Sequence, residues 1–168
     1  MALIQMSFLS TALKRTVPVT VVLPVDNTAF LREAPRFPTL YLLHGLSDDH
    51  TMWMRQTRLE FYARKYRTAI VMPAVNRSFY TDMVQGAKYF TFVSEELPAV
   101  MERYFPISDD RKDRFAAGLS MGGYGALIGS AVDWSDAAQN ASLMEHVLNC
   151  VTDEKATLIA VVQESANT

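Results

Sequence analysis

Asp113-Arg114-Phe115-Ala116-Ala117-Gly118-Leu119-Ser120-Met121-Gly122-Gly123 is the stretch on which the fold turns. A short apolar run, Phe115 to Ala117, leads into Gly118, and a helix-capable segment follows Ser120. Gly-x-Ser-x-Gly between a strand and a helix is the pattern of a sharp turn that exposes a reactive serine. Such a turn forces the serine into a strained backbone, so its close neighbours must be small. Gly118 and Gly122 lack the Cβ atoms that would clash there. The serine then stands at the N-terminus of the next helix, where the Met121 N–H is expected to face a developing oxyanion. The small residues Gly123, Gly125 and Ala126 strengthen this reading over that of a glycine-rich turn with an incidental serine.

Upstream, Leu40-Tyr41-Leu42-Leu43-His44-Gly45-Leu46-Ser47 is an apolar strand ending in His-Gly. That arrangement matches the loop supplying a second oxyanion donor, assigned to the Leu46 N–H. His44 is then expected to shape the loop rather than act as the general base.

Around these two segments the pattern alternates. Residues 2–9 and 16–23 read as strands joined by a short turn, so a hairpin is expected. Thr39 to Leu43, Thr68 to Met72 and Phe115 to Ala117 are short apolar runs of the kind buried on both faces of a parallel sheet. Tyr89, Phe90, Val93, Leu97, Met101 and Tyr104 recur at helical steps, predicting a helix over about 88–104. Pro98 within it predicts a kink or a late start. Asp26 to Pro38, with two prolines, reads as a loop. Strands alternating with helices give an α/β fold with a mostly parallel sheet.

Composition narrows the function. Sixteen basic and eighteen acidic residues give a net charge of −2, with no basic stripe of the kind that binds nucleic acid. No apolar run approaches the ~18 residues of a membrane span. A single cysteine, Cys150, excludes an intrachain disulfide. No secretory leader is recognisable, and at 168 residues one domain over 1–168 is expected, in the cytoplasm.

His44-Gly45-Leu46, Trp53, Val71-Met72-Pro73, Tyr80-Thr81-Asp82, Tyr89, Glu95-Glu96-Leu97-Pro98 and Gly118-Leu119-Ser120-Met121-Gly122-Gly123-Tyr124-Gly125 occur in that order. Together they resemble the esterase D family of α/β-hydrolases, particularly the bacterial tributyrin esterases and S-formylglutathione hydrolases, over about residues 1–128. The resemblance implies hydrolysis of short-chain esters or thioesters of small molecules, with no metal or organic cofactor. It implies Ser120 as nucleophile and Leu46 and Met121 as oxyanion donors. In such relatives the Tyr80 to Asp82 segment runs near the acyl pocket, although a polar surface loop is an equally good reading of it here. Relatives are often oligomers, which leaves a homo-oligomer open.

The family's later acid and its Gly-His-Glu-like segment have no counterpart after Ser120. Ser130-Ala131-Val132-Asp133 resembles what relatives carry one strand later, so a shortening near residue 129 and an incomplete C-terminal side are expected. His146 and His50 are the substitute bases to consider; Asp133, Asp136 and Asp153 look like turn and cap residues. Ala156 to Val162 fits either a strand or a helix. Without further strands beyond it, one sheet edge is expected to be open and apolar. A catalytically inactive remnant is therefore the rival to an active esterase.

Overall fold

The computed structural model describes residues 1–25, 36–130 and 159–163. Its centre is a six-stranded sheet in the order β1-β2-β4-β3-β5-β6. The strands are β1 (Ala2–Ser10), β2 (Arg15–Leu23), β3 (Thr39–Leu43), β4 (Ala69–Pro73), β5 (Arg114–Leu119) and β6 (Ile159–Gln163). β3 runs parallel to both β4 and β5, so the parallel part is the three-strand centre that carries the apolar runs. The β1–β2 hairpin joins β4 antiparallel, and β6 pairs antiparallel with β5, which makes the whole sheet mixed.

β3 shows why the centre is apolar throughout. All five of its residues are buried. Leu40 and Leu42 pack on one face with Trp53, Leu59 and Ala63 from α1 (Met52–Gln56) and α2 (Leu59–Tyr66). Tyr41 and Leu43 pack on the other with Phe92, Leu97, Met101 and Met121. Alternating side chains thus reach two separate cores, and each fully buried Leu contributes about 1.5–3 kcal/mol. α5 (Met121–Ser130) supplies Met121 and Ala126 to the second core.

The helix predicted over 88–104 forms as three consecutive pieces. α3 (Tyr89–Thr91) passes into a π-helical turn, Phe92–Glu96, and then into α4 (Leu97–Tyr104). The Leu97 N–H reaches back to the Phe92 carbonyl, one residue further than in an α-helix. The widened turn admits Pro98 at the start of α4, so the expected kink takes the form of a π-bulge. Strand ends shift slightly: Pro73 belongs to β4, and β5 extends to Arg114 and Leu119. Phe37, within the segment read as loop, makes a parallel bridge to Ile107. The 156–162 stretch, open between strand and helix in the sequence, overlaps β6, which among the described residues forms the sheet edge beside β5. Cys150, Asp133, Asp136 and Asp153 lie outside the described residues, as do most of the Asp26 to Pro38 loop and the chain beyond Ser130, where the consequences of a shortening near residue 129 would fall.

The π-turn also places Glu96 against the hairpin. Its carboxylate accepts from Ser10 Oγ, from the Thr11 N–H at 2.6 Å and from the Ala12 N–H at 3.2 Å. Burial raises the carboxyl pKa, but these donors outweigh it and leave it below the ordinary 4.5. A depressed acid pKa contributes stability above the unfolded value and loses it as pH falls through the folded one. Glu96→Ala is therefore expected to lower unfolding free energy by about 1–2 kcal/mol at pH 7. It should also flatten the acid-side decline below pH 4.5 in urea melts, relative to the parent chain.

Candidate active site

β5 ends at Leu119 and α5 begins at Met121, leaving Ser120 alone on the corner. Ser120 has φ 55°, the left-handed region, which costs a non-glycine residue about 1–2 kcal/mol. Its side chain is exposed, and its carbonyl accepts the Tyr124 N–H at 3.0 Å, starting α5. The turn closes because Gly118 and Gly122 meet. A Cβ on Gly118 would lie 2.3 Å from the Gly122 carbonyl carbon. A Cβ on Gly122 would lie 2.3 Å from the Leu43 carbonyl oxygen, so the first turn of α5 also abuts the end of β3. Strain at the exposed serine is thus held by packing beneath it.

The end of β3 carries His44, Gly45 and Leu46. A Cβ built on Gly45 would lie 3.8 Å from Ser120 Cβ, so this loop and the serine are immediate neighbours. His44 is 1% exposed and spends both ring nitrogens on backbone. Val75 N–H donates to Nε2 at 3.1 Å, which fixes Nε2 as the unprotonated nitrogen. Nδ1 then carries the proton and donates to the Gly45 carbonyl at 2.7 Å. Gly45 C=O and Leu46 N–H share one peptide plane, so the ring sets the direction of the Leu46 N–H. Trp53 Nε1 donates to the Leu43 carbonyl at 3.3 Å and secures the preceding residue. Leu46 is half-buried against the apolar core, and Met121 is buried as the first residue of α5.

Tyr80 joins this assembly, which corrects the surface-loop reading for that residue, while Thr81 and Asp82 are exposed as that reading expects. Tyr80 is 1% exposed, and its hydroxyl donates to the His44 carbonyl at 2.9 Å. Its ring lies against Gly125, where an added Cβ would come within 2.5 Å of ring carbons. Phe79 and Tyr80 both have positive φ, 51° and 55°. The chain buries Tyr80 while leaving Phe79 48% exposed, edge-to-face with Tyr124 at 6.3 Å between centroids. Asp82 stays at the surface, accepting from Thr91 N and Oγ1 at the end of α3. The sequence held one hint of Tyr80's seat: three glycines in the first turns of α5, a density that signals close approach by something.

Ser120 Oγ makes no hydrogen bond among the described residues. His50 sits half-buried in the Asp48 to Thr51 turn, its Nδ1 without a partner there. His146 lies outside the described residues. Among the described residues, no group of His, Cys, Asp and Glu could hold a metal, and no helix is long and apolar enough to cross a membrane.

Two outcomes follow from the packing and the tautomer. Gly→Ala in a helix usually gains about 1 kcal/mol. Gly122→Ala is expected instead to lower the Tm sharply, because the backbone oxygen it meets cannot move aside. Burial, working against the Gly45 hydrogen bond and the charges of Asp49 and Asp48, pulls the His44 pKa below 6.5. Its contribution is present above pH 6.5 and lost as pH falls below that value. His44→Gln should be less stable at pH 8 and show a flatter stability-versus-pH slope below 6.5 in urea titrations.

Residues 10–144 match the family model described as "Putative esterase". An acetyl esterase of Caldicellulosiruptor saccharolyticus is 36% identical over 132 residues, covering 76% of this chain and 50% of that protein. Among solved structures, the substrate-bound fluorophosphonate-binding serine hydrolase F of Staphylococcus aureus is 38% identical with a TM-score of 0.69. An S-formylglutathione hydrolase from the same organism, in its apo form, is 39% identical with a TM-score of 0.67. Both alignments cover 74% of this chain and 49% of the other. The chain spans about half the length of these relatives. The glycine-flanked serine corner, the His44 loop packed against it and the match over residues 10–144 belong together: the chain is a member of the esterase family, with the α/β-hydrolase fold.

Proposed function

We propose that this site hydrolyses short-chain carboxylic esters through an acyl-enzyme on Ser120. The observation that carries the reading is the left-handed Ser120 at the start of α5, exposed and adjacent to Gly45. Ser120 Oγ attacks the ester carbonyl carbon, the alcohol leaves with a proton, and water then releases the acid. Charge develops on the carbonyl oxygen. The Met121 N–H, at a helix N-terminus, and the Leu46 N–H, aimed by the His44 ring, are the donors assigned to it.

The serine proton needs an acceptor. His44 cannot serve, since Nδ1 donates to Gly45 and Nε2 already accepts from Val75. A site without an oriented base loses a factor of about 10⁴ in rate, while oxyanion stabilisation and binding remain. With His44 engaged on backbone and no base on Ser120 among the described residues, slow turnover with measurable acylation is the expected behaviour unless His50 or His146 serves. A thioester substrate is the second reading, favoured by the similarity to an S-formylglutathione hydrolase. A thiol leaves more readily than an alcohol, so the same serine and donors suffice.

Incubation with a fluorophosphonate probe and with p-nitrophenyl acetate tests this, with Ser120→Ala as control. Labelling and p-nitrophenol release abolished by the substitution are expected. A folded chain that neither labels nor releases p-nitrophenol would establish the inactive-remnant alternative. S-formylglutathione and p-nitrophenyl acetate, offered in competition, separate the two substrate classes.

A further inference from the structure

We propose that Tyr80 is a positioning residue that sets the separation between the two oxyanion donors; this rests on the assignment of Leu46 and Met121 to that role. Each donor is supported by a different part of the chain, one by the loop after β3 and one by α5. Tyr80 touches both supports. Its hydroxyl holds the His44 carbonyl at 2.9 Å, and its ring fills the space that the missing side chain of Gly125 leaves on α5.

The consequences run along the backbone. The Tyr80 hydroxyl fixes the 44–45 peptide and the His44 ring fixes the 45–46 peptide. Two successive peptide planes are thereby locked, ending in the Leu46 N–H. On the other side, Gly125 lies one helical turn beyond Met121, so the ring bears on the piece of α5 that carries the second donor. The left-handed backbone at Phe79 and Tyr80 is what delivers the ring to this position from a segment that belongs to neither element. Burial pushes the phenol pKa well above its ordinary 10, so Tyr80 remains a hydrogen-bond donor throughout the working pH range. A group of this kind cannot exchange protons with substrate. Its influence has to be geometric.

Tyr80→Phe keeps the ring and removes only the bond to His44. With p-nitrophenyl acetate, kcat is expected to fall about 10- to 100-fold, below the loss from deleting a donor outright. KM should change less than about twofold, because uniform binding is untouched. The factor should be the same at every pH between 6 and 9. Gly125→Ala, which displaces the ring, should reproduce the kcat loss. Glu96→Ala, comparably destabilising but confined to the hairpin, should leave kcat unchanged. An effect on KM alone, a pH-dependent factor or an unchanged kcat would overturn the assignment.

The same variants can be read without catalysis. Should Ser120 neither turn over nor label, the esterase reading fails, and amide hydrogen exchange still tests the clamp. Tyr80→Phe is expected to accelerate exchange at residues 44–47, and Gly125→Ala, which displaces the ring, at 44–47 and 121–125 together. Acceleration restricted to 78–82 would show that Tyr80 orders only its own loop.

Discussion

The first turn of α5 lies so close to the end of β3 that one added carbon on Gly122 would overlap the Leu43 carbonyl. The positions of Ser120 and the His44–Leu46 loop depend on that approach. It holds Ser120 in a left-handed conformation that the serine would not adopt alone. It also draws the His44–Leu46 loop alongside the serine, since that loop continues directly from the strand on which the helix rests. The approach is possible because Gly118, Gly122 and Gly125 present backbone rather than side chain, to each other, to β3 and to Tyr80 respectively. Removing the Cβ costs helix propensity at Gly122 and Gly125 in α5, about 1 kcal/mol each relative to alanine. Burial of Met121 and Ala126 against the sheet offsets that weakness.

Around this contact the chain uses polar groups where an apolar residue would fill the volume equally well. His44 and Tyr80 are buried among hydrophobic neighbours, yet their hydrogen bonds run to backbone, to Gly45, Val75 and His44 itself. A buried polar group costs about 1–3 kcal/mol when left unpaired. Once paired, such groups fix orientation in a way that dispersion contacts do not. Neutral imidazole can satisfy one donor and one acceptor together, and the geometry at His44 requires both. A leucine there would pack, but the peptide leading to Leu46 would lose the shorter of the two hydrogen bonds to its carbonyl, keeping only the one from the Asp48 N–H at 3.4 Å.

Similarity to an acetyl esterase, a fluorophosphonate-binding hydrolase and an S-formylglutathione hydrolase extends over three-quarters of this chain and half of theirs. The portion that matches the family model, residues 10–144, contains the Ser120 corner and the His44–Leu46 loop. Proton transfer is a separate task. In this fold its residues follow the nucleophile in chain order. The division explains how a half-length match can preserve the geometry of a site without deciding its rate.

Sequence by itself determined the parts whose signal is local. Gly118-Leu119-Ser120-Met121-Gly122 announces its turn because backbone strain admits few residue types, and β3, β4 and β5 announce themselves because strands buried on both faces must be apolar throughout. The helix over 89–104 was legible from its period, although the π-turn that accommodates Pro98 was not. Tertiary structure alone decided what depends on contacts between distant segments. Nothing local marks Tyr80 as buried, since its neighbours Ser78, Phe79 and Thr81 follow no period; its place is set by a glycine on α5 and a carbonyl on β3's loop. Likewise the His44 tautomer follows from Val75, in the turn after β4. The glycines of α5 signal that something approaches closely, but not which residue, because one hydrogen bond or one missing Cβ constrains a position in space rather than a pattern along the chain.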